Sequence, residues 1–306
     1  MVSVERDSRI KFSFLEDVMG ALLLAIDMIA QQGESMIVRR YGKKHGAGGM
    51  FFNAIICLFA MVFFFLTDKG GLCFPKELWL YGIISCLMFA TGFYTMYVAL
   101  QLGSFVASKL LSSFSGVISI VYGILFLKEP AGFTTYLAIV LVFVSVVLMQ
   151  YQKPSETTAE KKAFSVKWLV CILLTAVSNG FIAVISRMQQ IRFDNAYDNE
   201  FMILSFAGAC IALFIMGFAL ERDKFRNTFK YGLVYGASAG LINGAKNLIN
   251  LWIYLYIPIS VATPLRTGLG FILSFICSVL FYKEKFTVRQ LISVAIGIIA
   301  IILFKV

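Results

Sequence analysis

Charge is scarce in this chain. Only 14% of its 306 residues are Asp, Glu, Lys or Arg, against about 25% in an ordinary soluble domain. Histidine occurs once, as His45 in the basic stretch "RRYGKKHGAGG". That scarcity removes most enzyme readings. HExxH, a P-loop, a Ser-His-Asp candidate set and a metal-ligand cluster are all absent, so no catalytic residue, metal or cofactor is expected. The six cysteines, Cys57, Cys73, Cys86, Cys171, Cys210 and Cys277, scatter mostly through apolar runs without a CxxC, and read as free buried thiols. The N-terminus "MVSVERDSRIKFSFLEDV" lacks the apolar core and cleavage site of a signal peptide.

What fills the sequence is hydrocarbon. Hydrophobic residues make up 59%, with 30 Phe, and the mean hydropathy is +0.84. Such a chain cannot cover itself with polar surface, so its main solvent is lipid and it reads as a multi-pass integral membrane protein, assigned to a bacterial plasma membrane. A net charge of +10 suits loops facing anionic lipid. It does not indicate nucleic acid, because the basic residues are spread over loops without interleaved aromatics.

A spanning helix needs about 20 apolar residues. Ten candidates fit, at 17–38, 48–67, 78–100, 104–127, 131–150, 166–187, 199–220, 229–256, 258–282 and 286–305. Residues 1–16 form a tail. The polar stretch "YQKPSETTAEKKAFS", 151–165, is a linker at the midpoint, and a linker there suggests a duplication. A shift of 155 residues lays "SFVASKLLSSFSGVISIVYGILFLKEP" (104–130) over "ISVATPLRTGLGFILSFICSVLFYKEK" (259–285), and both copies carry "LF-x-KE" at the same helix end. A shift of 147 lays "QQGESMIVRR" (31–40) over "SNGFIAVISR" (178–187), matching Gly33 with Gly180 and Arg40 with Arg187. The expected units are therefore a first five-helix repeat at 17–150 and a second at 166–306. Five is odd, so the second repeat is inverted. Such all-α folds hold a substrate near the bilayer midplane, between the repeats.

Polar residues stranded in apolar helices are the candidate site. "GASAGLINGAKNLIN" (236–250) holds Lys246 far from any other acid or base. A lysine at a helix centre costs about 2.5–3.5 kcal/mol to insert. Asn243, Lys246, Asn247 and Asn250 share an arc of about 100°, overlapping a stripe formed by Gly232, Gly236, Gly240 and Gly244. Arg266 and Thr267 follow Pro264, which frees a backbone carbonyl and kinks the helix. Lys109 is a third intramembrane cation. Asp27, Gln31 and Glu34 share one face of the first helix at i, i+4 and i+7, and Asp27 or Glu34 is expected to pair with Lys246 or Arg266. Asn53, Tyr94, Tyr97 and Asn179 complete the cavity candidates. Glu129 and Glu284 end their helices and are expected to cap or orient loops.

Five plus five helices, with the small residues of "VASKLLSSFSGVISIVYGILFLKE" repeated in the ninth helix, resemble the drug/metabolite transporter superfamily, in particular its EamA-type members. "QQGES" in the first helix is similar to that family's "WG-S" stretch without its tryptophan. The resemblance implies a ten-helix secondary transporter with a central cavity lined by both halves. In related nucleotide-sugar and sugar-phosphate carriers, basic cavity residues receive the anionic group. Three cations against two acids then point to an organic anion or zwitterion, such as an amino acid or a phosphorylated or nucleotide-type compound. A fully paired set of charges points to a neutral drug or metabolite instead. A lipid-flipping protein of the same fold is the alternative. The expected partners are a small-molecule substrate and the bilayer, with a monomer or homodimer as the unit. Orientation divides the signals: the Lys and Arg of the loops favour both termini outside, and the resemblance implies both inside.

Overall fold

The computed structural model describes residues 2–45, 49–102, 108, 112, 114–150, 166–282 and 288–303. These hold ten α-helices: α1 Val2–His45, α2 Met50–Thr67, α3 Lys76–Leu102, α4 Ser115–Leu125, α5 Phe133–Gln150, α6 Val166–Arg192, α7 Asp198–Leu220, α8 Phe225–Tyr256, α9 Ile259–Tyr282 and α10 Val288–Leu303. A short 3-10 turn, Arg222–Lys224, joins α7 to α8. No strand occurs among the described residues.

Three helix ends differ most from those expected by hydropathy. The first helix was bounded at 17–38 but runs from Val2 to His45. The sixth was ended at Arg187 but continues to Arg192, which puts Arg187 inside the helix. These extensions are polar. A helix leaving lipid keeps its backbone bonds in water, so loss of apolar character is not a helix end.

Side-chain contacts set the direction of each helix. Gly20 near the start of the α1 span backs onto Tyr256 and Ile257 at the end of α8, and His45 at the end of α1 stacks on Tyr231 at the start of α8. α1 and α8 are thus antiparallel. Arg192 at the end of α6 bridges Glu77 at the start of α3 at 2.7 Å. Glu221, just past α7, accepts the Met50 N–H at the start of α2 at 2.9 Å. All three helix pairs agree with helices that alternate in direction through the bilayer. We call the end carrying the start of α1 side A and the other side B.

The packing has the symmetry of an inverted duplication. α1 packs on α8 as α6 packs on α3, α2 on α8 as α7 on α3, and α1 on α9 as α6 on α4, while α2–α7, α4–α9 and α5–α10 are each their own counterpart. The central core lies among α2, α3 and α7, where Phe64, Phe89, Phe201 and Phe206 are buried. Outward-facing apolar side chains such as Leu66, Phe133, Val166 and Val234 are at least 75% exposed, as lipid-facing residues should be.

Among the described residues, five helices are long and apolar enough by themselves to cross a membrane: Val18–Gly42, Met50–Thr67, Lys76–Leu102, Val166–Arg192 and Asp198–Leu220. α8 has the length, at 32 residues, but its Gly and Asn stripe dilutes it. Those glycines seat α8 on α2. A Cβ on Gly236 would fall 2.6 Å from Ile55, one on Gly240 2.5 Å from the Ile56 carbonyl oxygen, and one on Gly244 2.8 Å from Phe63. Such backbone contact is how small residues join helices without a hydrophobic driving force.

Candidate functional site

With its glycines against α2, α8 turns its polar residues toward α1. Lys246 Nζ donates to Glu34 Oε2 at 2.5 Å, and Asn243 Nδ2 donates to Glu34 Oε1 at 2.8 Å. Asn247 Nδ2 in turn donates to Asn243 Oδ1 at 3.0 Å. Both carboxylate oxygens of Glu34 are therefore engaged. The Lys246 and Glu34 side chains are 17% and 15% exposed, too little for bulk water to screen the pair fully.

The second pair joins α1 to α9. Arg266 Nε donates to Asp27 Oδ2 at 2.7 Å, and Nη2 to Oδ1 at 3.3 Å. This is the planar two-point grip of guanidinium on carboxylate. Asp27 is fully buried. The Tyr254 hydroxyl, on α8, accepts from Asn250 Nδ2 at 3.3 Å. Asn250 Oδ1 is buried with no partner among the described residues. Between the two pairs, Gln32 Nε2 donates to the Gly270 carbonyl at 3.2 Å, and Gln31 Oε1 lies beside Gly270.

One face of α1 thus meets α8 and α9 through two acid–base pairs and a set of amides. Asp27, Gln31, Glu34, Asn243, Lys246, Asn247, Asn250 and Arg266 are brought together. Thr267 sits one residue on, its hydroxyl donating back to the Thr263 carbonyl at 3.0 Å. The other candidates lie elsewhere. Asn179 faces Gly92 at the α3–α6 contact, 3.3 Å from where a Cβ would be. Tyr97 is buried near side B, where its hydroxyl bonds Glu221. Asn53 and Tyr94 are half-buried on α2 and α3. Lys109 and Glu284 lie outside the described residues. Among the described residues the face holds two cations and two acids, each paired.

Two networks have no place in the sequence reading. On side B, Glu221 accepts from Met50 N–H, Tyr97 and Lys224. Burial pushes its carboxyl up, but Lys224, Tyr97 and the Met50 amide outweigh burial and hold it below the usual glutamate value. Its partner Lys224 is raised, chiefly by the Glu221 bond. Near side A, Gln190 Nε2 contacts the Leu251 carbonyl at 3.0 Å and Asp198 at 3.4 Å, and its Oε1 lies 3.5 Å from Arg187. The only sequence signals were a Glu after an apolar run and a Gln-Gln pair past an expected helix end. Glu129 does what its position suggested, accepting the Ile259 and Ser260 N–H groups at 3.0 and 2.9 Å and capping α9.

The family model for the EamA-like transporter family matches the chain twice, over residues 11–151 and 166–306. The chain belongs to that family, whose members are membrane transporters, and the two matches coincide with its two structural halves. No curated protein matches the chain. A solved structure, described only as a crystal structure of a protein, superposes with a TM-score of 0.71 at 13% identity, covering 93% of this chain and 98% of its own. At that identity the likeness concerns the fold.

Proposed function

We propose that the chain carries a small zwitterionic metabolite, of the amino-acid type, across the membrane by alternating access, and that the α1–α8–α9 face is its binding site. The observation behind this reading is the Glu34–Lys246 pair at 2.5 Å, with Asn243 and Asn247 ranged beside it. A substrate carboxylate takes the place of Glu34 on Lys246, and a substrate ammonium takes the place of Lys246 on Glu34. One buried ion pair becomes two, and no charge is left uncompensated. A bare organic anion would occupy Lys246 and strand Glu34, and a neutral solute would leave the pair closed.

Ligand-dependent stabilisation of the purified protein tests the reading, because a ligand that binds the native state raises its apparent stability. Zwitterionic metabolites are expected to raise the melting temperature of the wild type and to have no effect on Lys246→Met or Glu34→Gln. Stabilisation by anions or neutral solutes alone, or an unchanged response in both variants, would overturn it.

A further inference from the structure

Gly33 and Gly180 occupy equivalent places in the two repeats, 147 residues apart, yet they meet different surroundings. At Gly180 the helices touch. A Cβ there would fall 2.7 Å from the Ile118 Cβ and 2.7 Å from the Ser115 carbonyl oxygen of α4. Only a residue without a side chain lets α6 and α4 approach so closely.

The 155-residue shift that relates α4 to α9 carries Ser115 to Gly270 and Ile118 to Leu273. Gly33 on α1 does not reach either. The nearest atom to its missing side chain is Ile242 Cδ1 of α8, at 3.9 Å, which is ordinary contact. Long polar side chains fill the gap instead. Gln32 reaches the Gly270 carbonyl at 3.2 Å, Gln31 Oε1 stands 2.9 Å from the place of a Gly270 Cβ, and Arg266 spans the interface to Asp27. Measured at the two equivalent glycines, the α1–α9 interface is wider than the α6–α4 interface. Nothing that Gly33 touches here requires a glycine, which weakens a helix interior relative to alanine.

We propose that Gly33 is the closing contact of the opposite access state: α1 settles onto α9 with Gly33 seated against Gly270 and Leu273, while Gly180 draws away from Ser115 and Ile118. This rests on the transport reading, since alternation is what gives the second state a purpose. The inverted repeat supplies its geometry, because each half can adopt the arrangement now held by the other. The Gln31 and Gln32 side chains leave the interface as it closes, and the Arg266–Asp27 bridge shortens or breaks.

Cysteine accessibility in native membranes tests this without any substrate, in a background with the six native cysteines replaced. A single cysteine at Ile118 reports opening of the α6–α4 contact by its rate of maleimide labelling. Gly33→Ala and Gly33→Leu fit the present surroundings of Gly33 but block the seat against Gly270 and Leu273, and are expected to slow that labelling several-fold, Gly33→Leu the more. The pair Ser145→Cys and Ser293→Cys, whose hydroxyl oxygens lie 3.4 Å apart at the α5–α10 contact, is cross-linked in parallel in each Gly33 background to report an intact fold. Equal labelling of Ile118→Cys in all three backgrounds, with the reference pair linking to the same yield, overturns the proposal. Neither result depends on ligand, so failure here leaves the zwitterion reading to stand or fall on its own binding measurement.

Discussion

Arg266 holds Asp27 through two hydrogen bonds, from Nε at 2.7 Å and from Nη2 at 3.3 Å, across the interface of α1 and α9. Asp27 is fully buried, and the arginine is one-fifth exposed. Removing either partner would leave the other largely buried and without its counter-charge.

Removing one member should therefore hurt more than removing both. Asp27→Ala strands a guanidinium and is expected to destabilise by about 3 kcal/mol. Asp27→Leu combined with Arg266→Leu should recover most of that loss, since a buried pair is often replaceable by apolar side chains. Melting temperatures of the two single variants and the double variant, in one detergent, decide this. A double variant as unstable as the worse single one would mean the pair does not act as a unit.

The glycine stripe of α8 makes a sharper prediction. Gly240→Val places a branched side chain where a Cβ already falls 2.5 Å from the Ile56 carbonyl, and overpacking of this kind costs about 1–3 kcal/mol or more. Gly42→Ala meets nothing within 4 Å and removes a flexible helical residue, for a gain of up to about 1 kcal/mol. Thermal unfolding should separate the two variants in opposite directions from the wild type.

Acid stability should run through Glu221. Its carboxyl is held below the ordinary value of 4.5 in the folded protein. Its contribution is thus complete above that value and is lost as pH falls through the lower, folded one. Lys224 is raised, so its share persists until pH exceeds the ordinary lysine range. Glu221→Gln should lower stability at neutral pH and flatten the decline between pH 5 and 3, within about one pH unit of the ordinary carboxylate value. A stability profile against pH for both proteins reads this directly. Equal acid slopes would show that Glu221 is not the group responsible.

At side A, Glu129 closes the N-terminus of α9 with two backbone bonds. Glu129→Ala should cost about 1–2 kcal/mol, as loss of a helix cap does. Glu129→Gln should cost less, keeping an acceptor but losing the charge that favours the helix dipole. The ranking wild type, Gln, Ala by melting temperature is the expected result.

The sequence made the helix count, the inverted halves and the polar face of α8 readable, because each is a matter of spacing along one segment. The "LF-x-KE" repeat located Glu129, and periodicity put Asp27, Gln31 and Glu34 on one stripe. It could offer only a choice of partners among two acids and two cations. The structure pairs Glu34 with Lys246 and Asp27 with Arg266, a matter of how far each helix has slid past its neighbours. Tyr97 looked like a cavity residue because its true partner, Glu221, is 124 positions away. Gln190, with its contacts to Leu251 and Asp198, was hidden by a helix end set from hydropathy, which marks the edge of lipid and not the edge of the helix.

The duplication is imperfect where it matters energetically. Under the same two shifts, the residues corresponding to Asp27 and Arg266 in the opposite repeats are Leu174 and Leu111. On the alternating-access reading proposed above, exchanging the halves would bring Leu174 and Leu111 to the place of this pair, with no charges to join. The two states would then differ in energy, and the difference would bias the resting population toward the charged clasp. A carrier returns to its starting state at the end of each cycle, so that bias would govern occupancies and rates and not the net work of transport.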